Sequence, residues 1–205
     1  MPAGLTERGD VLLLMMFLAL AAQADGNSAT DLCSYVSQRD STTLIIRTAA
    51  GPLVYRDHLE PDESYISYIL STWFSELDLV VLNASYWEGS SYFTVDLNTG
   101  DEYRMISVPL PNPSGSLLLC YNVDLVAQYS ANGFRIWEAT EKGLHVEYEL
   151  LDTMDWGPAD AFWMNDSTVS FTEHEYTDEY DLLERPMLLL QRNNEWQIKP
   201  PVLTD

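Results

Sequence analysis

The chain has 205 residues, 32 of them acidic and 10 basic, for a net charge of −22. A surface this negative repels phosphate backbones, so nucleic acid is excluded as a partner, while cations and basic proteins are attracted. Hydrophobic residues make up 46% and aromatics 12%, which is too apolar for a disordered chain and enough to build a substantial core.

The first element in chain order is an unbroken apolar run from Val11 to Ala22, closed by Ala22-Gln23-Ala24. A run of this length matches the core of a secretory signal, falls short of the roughly 20 apolar residues that span a bilayer, and ends in a small-residue cleavage site. Residues 1–24 are therefore expected to be a signal peptide that is removed, and 25–205 a single domain. The product is expected in the periplasm or outside the cell, with no stable membrane insertion after cleavage. Glu7 and Asp10 beside Arg8 depart from the positive front end such signals carry.

Cys33 and Cys120 are the two cysteines. Export to an oxidising compartment favours a Cys33–Cys120 disulfide; the alternative is two buried thiols, since Cys120 lies in the apolar run Leu117–Tyr121.

Four strand–turn–strand phrases follow. Thr43–Thr48 and Pro52–Arg56 flank Gly51; Tyr92–Asp96 and Glu102–Ile106 flank Asn98-Thr99-Gly100; Phe134–Glu138 and Leu144–Tyr148 flank Gly143; Met187–Gln191 and Glu195–Ile198 flank Asn193-Asn194. Gly and Asn supply the positive φ of a tight reversal, and β-branched or aromatic residues supply the flanking strands. Between the phrases, Leu77–Leu82, Ser116–Tyr121 and Thr168–Thr172 read as inner strands. The unit recurs every 49, 43 and 51 residues, close to the period of propeller blades. The predicted fold is all-β, a propeller-like array of about four small antiparallel sheets, with a β-sandwich as the alternative.

Two phrases resemble known blade signatures. Phe134–Gly143 is similar to the closing strands of a WD-type blade, with Glu138 in place of the usual aspartate. Tyr92–Gly100 followed by Pro111–Gly115 resembles the strand-turn-strand phrase of TolB-type propellers, with Ser114 where that phrase has aspartate. The stretch from about Tyr92 to Phe171 also resembles small exported bacterial proteins of unassigned function. The resemblance implies a fold and no particular chemistry.

The densest charge runs from Glu173 to Glu184, including Glu175, Asp178, Glu179 and Asp181, with His174 and no Lys or Arg. It reads as the connection before the last hairpin, a solvated acidic loop. Oxygen-rich clusters suit calcium, but no Asp-x-Asp-x-Asp-Gly phrase occurs, so no cofactor is predicted. His174-Glu175 opens like a zinc-protease helix, yet Asp178 stands where the second histidine belongs. No Gly-x-Ser-x-Gly elbow is present. Met154–Trp163 reads as a loop leading toward a strand; Trp156 and Trp163 are its aromatic binding candidates, against the ordinary role of such residues as core plugs.

The function these features favour is binding, with Trp156, Trp163 and the Glu173–Glu184 segment facing a basic protein or a cation. An enzyme is the less favoured reading: a carboxylate-based hydrolase drawing on Asp152, Asp155 and Asp160. A structural component of an envelope assembly is the third.

Overall fold

A computed structural model describes residues 37–127, 129–152, 155–179 and 181–201. The expected signal peptide and Cys33 lie outside these residues.

The described chain is all-β. The first sheet holds β1 (Ser37–Arg39), β2 (Thr43–Thr48) and β3 (Gly51–Arg56). The second holds β4 (Ile66–Phe74), β5 (Leu79–Tyr86), β6 (Ser90–Asp96) and β7 (Glu102–Met105). The third is built from β8 (Leu110–Pro111), β9 (Leu117–Asn122), β10 (Gly133–Thr140) and β11 (Gly143–Leu151). The fourth contains β12 (Trp156–Asn165), β13 (Thr168–Tyr176), β14 (Leu182–Arg192) and β15 (Glu195–Lys199). Each sheet is an antiparallel meander in which sequence neighbours pair, and none closes into a barrel. Among the described residues, no helix is long and apolar enough to cross a membrane.

All four predicted hairpins form, as β2–β3, β6–β7, β10–β11 and β14–β15, and the three predicted inner strands are β5, β9 and β13. The turns follow from their residues. Thr48 and Thr140 occupy equivalent places, their Oγ1 atoms donating to the carbonyls of Gly51 and Gly143 at 2.6 and 2.9 Å. The Asp96 carboxylate accepts from the Asn98 and Thr99 amides at 2.8 and 3.1 Å, and Asn193 and Asn194 both adopt positive φ, as a two-residue hairpin requires. Gly143, with φ of +101°, meets the Tyr103 ring of the second sheet, where a Cβ would collide with the hydroxyl.

Three apolar layers join the sheets in series. Leu44 and Ile46 pack on Val80, Leu82 and Val95 between the first and second. Leu79 and Met105 pack on Leu118, Cys120, Trp137 and Leu144 between the second and third. Leu119, Phe134 and Ile136 pack on Val169, Phe171 and Leu189 between the third and fourth. Strand alternation explains why neighbouring residues serve different layers: Leu118 and Cys120 point to one side of β9, Leu117 and Leu119 to the other.

Two expectations are corrected. Trp156–Asn165 is a ten-residue strand and not a loop. Cys120 is a free thiol with no exposed surface, its Sγ 3.8 Å from Met105 Sδ, so the expected bridge to Cys33 is absent. Packed between the second and third sheets, the thiol acts as a small apolar group, and burial pushes its pKa up to about 12. Iodoacetamide at pH 8 is therefore expected to leave the Cys120 peptide unlabelled in the native protein. It should label that peptide after denaturation without reductant; peptide mapping checks both, and an unlabelled denatured peptide would restore the disulfide.

Candidate functional site

In a stack of meanders, alternate connections emerge at opposite ends. At one end they are short: 49–50, 75–78, 97–101, 112–116, 141–142, 166–167 and 193–194. They bond to one another across sheets, with the Ala49 amide donating to the Leu97 carbonyl at 2.7 Å and the Ser114 amide to Asp166 Oδ1 at 2.8 Å. The opposite end carries 40–42, 57–65, 87–89, 106–109, 123–132, 152–155 and 177–181, among which are the two longest connections of the described chain.

Charge divides the two ends. The seven connections of the second end contain twelve Asp and Glu and no Lys or Arg, whereas the tight-turn end has five acids and Lys142. Part of the acid is used internally. Asp57, its side chain 1% exposed, pairs with Arg39 and accepts from the Tyr68 amide at 2.9 Å. Asp62 accepts from the Ser64 hydroxyl and amide, and these bonds hold its carboxyl below the usual range.

The 123–132 connection is held firmly. The Asp124 carboxylate accepts from the amides of Ala127, Tyr129 and Ser130 at 2.8–3.1 Å. Asn132, buried, accepts from the Asp124 amide at 3.1 Å and donates to the Trp156 carbonyl at 2.7 Å, tying the loop to β12. Gly157 allows this approach, because a Cβ there would collide with Asn132 Oδ1 and lie 2.8 Å from Val123 Cγ2. This scaffold holds Val126, 79% exposed, and Tyr129, 94% exposed, out in solvent. Side-chain burial has no part in that placement.

Below them lies a groove of about 270 Å³, lined by Val123–Ala127 on one side and His174, Tyr176 and Leu182 on the other. His174 Nε2 sits 3.2 Å from Glu184 Oε1. A wider, open depression at the same end is lined by Asp62, Glu63, Ser64 and the exposed Trp87.

The sequence-derived candidates divide between interior and rim. Trp156 stacks on Phe171 with ring centroids 6.2 Å apart, inside the layer between the third and fourth sheets. Trp163 packs edge-on against Trp196 at 6.1 Å, and its Nε1 donates to the Leu110 carbonyl at 2.8 Å. Both are core plugs.

The Glu173–Glu184 segment is not a loop before the last hairpin. Its first part belongs to β13 and its last to β14, and only 177–181 is a connection. Arg185, directly after the acidic run, lies across the strand pair from Glu173, with Nε 3.1 Å from Oε1, and pairs with Glu175 as well. Glu173 and Glu175 thus share one guanidinium within the sheet, while Asp178, Glu179 and Asp181 remain at the exposed tip beside the groove.

Asp152 and Asp155 lie in the 152–155 connection, and Asp160 on a bulge of β12 with φ of +51°. None of the three lines either groove. No group of three or more His, Cys, Asp or Glu among the described residues is placed to hold a metal ion. Val126 and Tyr129 went unmarked in the sequence; the available signal was an apolar pair within a connection bracketed by Asp124 and Asn132. No protein-family model matches the chain, and no curated protein matches it in sequence.

Proposed function

We propose that this protein is exported, its leader over residues 1–24 removed, and acts by binding a basic protein segment on the end of the array formed by the long connections. The observation that carries the reading is the coincidence, in the connections of one end, of twelve acids without a Lys or Arg and of exposed apolar residues fixed by the Asp124 cap. Carboxylates draw a cationic chain to the surface and set its orientation; apolar side chains give it area to bury. Tyr129, Val126, Tyr176 and Leu182 supply that area around the groove. Asp178, Glu179 and Asp181 on one side, and Glu60, Glu63 and Glu88 on the other, supply the field. Trp156 and Trp163 support the site from the core.

The probe is a fluorescent peptide of alternating Lys and Leu, titrated by anisotropy, followed by pull-down from the extracellular or periplasmic fraction. Raising the ionic strength from about 0.05 to about 0.5 M is expected to weaken binding at least tenfold, because the screening length shrinks several-fold. Replacing Asp178, Glu179 and Asp181 by Asn, Gln and Asn should weaken it by a comparable factor, and Tyr129→Ser should lower affinity while preserving the salt dependence. Binding indifferent to both salt and the triple substitution overturns the reading.

A further inference from the structure

Three layers join four sheets, so one face of the first sheet and one face of the fourth have no sheet against them among the described residues. Neither is built as a polar cap. On the fourth sheet, Ala161, Trp163, Val169 and Leu189 point to the core, which turns Phe162, Met164, Leu188 and Leu190 to the opposite face. Register sets Phe162, Ser170, Leu188 and Lys199 in one row, and Phe162 and Met164 are 47% and 58% exposed. On the first sheet, Leu44 and Ile46 point to the core, while Ile45 and Val54 pair in a row with Gln38 on the other face, Val54 being 49% exposed. End units of a stack stay soluble by presenting polar outer faces. These two instead expose large apolar side chains within mixed rows.

We propose that the two faces are halves of one interface and that a second copy of this chain supplies the missing half. The fourth sheet of each protomer packs on the first sheet of the other, so the same heterologous contact is made twice and closes about a two-fold axis. Continuity carries the argument. Within the chain each sheet meets the next through apolar rows, with tight turns bonded at one end, as between Ala49 and Leu97 and between Ser114 and Asp166. One more step of that kind beyond the fourth sheet requires a face like the uncovered face of the first. Charge agrees: that face carries Arg47 and Arg56 and no acid, and Arg56 ends β3 at the same end where Glu184, 60% exposed, projects from β14. Toward the other end Arg192 pairs with Glu195, and Lys199 lies opposite Leu188 in the middle of β14.

Sedimentation equilibrium of the full chain tests the proposal. A dimer is expected, and Phe162→Glu or Val54→Glu should each give monomers, weakening association at least about a hundredfold as a carboxylate is forced against apolar surface. Both positions are half exposed in the protomer, so the far-UV circular dichroism should not change; Met164→Glu repeats the test on the same face if Phe162→Glu fails to fold. Mixing the Phe162→Glu and Val54→Glu proteins should restore a heterodimer, because one intact pair of faces remains between them. A wild-type monomer at every concentration, a dimer indifferent to these substitutions, or open assemblies larger than a dimer would each overturn it.

Discussion

Phe134→Ala is expected to lower the free energy of unfolding by about 3–5 kcal/mol, the range for removing a fully buried aromatic ring from a packed core. Phe134 has no exposed surface and meets Phe171 edge-on at 4.8 Å and Trp156 at 6.4 Å, across the layer between the third and fourth sheets. Typical domains are stable by only 5–15 kcal/mol, so the loss is a large part of the total. Urea unfolding checks it: the midpoint should fall sharply with an unchanged slope. Trp87→Ala is the control, since Trp87 is 55% exposed at the rim and its removal should change stability by no more than about 0.5 kcal/mol. Comparable small effects for the two substitutions would mean that the third and fourth sheets do not share a core.

The hairpins were legible because each is written locally. Thr-x-x-Gly in two turns, Asp96 with Gly100 in a third and Asn193-Asn194 in a fourth state the reversal within a few residues. The strands that escaped notice break local rules. β4 carries a bulge between Leu70 and Thr72 that interrupts its alternation. β12 contains Gly157, Pro158 and a second bulge after Ala159, which read as a loop. An edge strand tolerates all three, because one side of its backbone needs no partner. Pro186 in β14 survives for a related reason: β15 reaches only as far as Leu188, leaving the stretch around Pro186 paired on one side alone.

The site was half legible for the same physical cause. Charge density is a local property, so the tip at Asp178–Asp181 was found from composition. The pairing of Glu173 and Glu175 with Arg185 depends on β13–β14 register, and the inward direction of Trp156 depends on which face of β12 meets the third sheet. The Asp124 cap and the Asn132 tether span 3–24 residues, and no periodic pattern encodes them. The segregation of acid to one end became visible only once the connections could be sorted by end.

Alkaline pH is expected to erode stability steeply, with Cys120 the first group to contribute as pH rises. Burial raises the pKa of this thiol from an ordinary value of 9.0 to about 12, and raises those of Tyr55, Tyr68, Tyr103, Tyr121 and Tyr148 as well. For Tyr55 a hydrogen bond to Glu102 adds to the effect of burial. In each case the folded state keeps the proton that the unfolded state has already released. The associated stability is therefore fully present below about pH 9 and is lost as pH rises through the interval to the folded value. For Cys120 the gap between about 9 and about 12 corresponds to roughly 4 kcal/mol, released at up to about 1.4 kcal/mol per pH unit. Urea midpoints measured from pH 8 to pH 11 should fall steadily, and Cys120→Ala should be less stable at pH 8 yet show a shallower slope by one proton. A flat profile, or an Ala variant with the wild-type slope, would mean that the thiol is not enclosed between the second and third sheets. It would remove the packing argument that sets Cys120 there instead of in a disulfide.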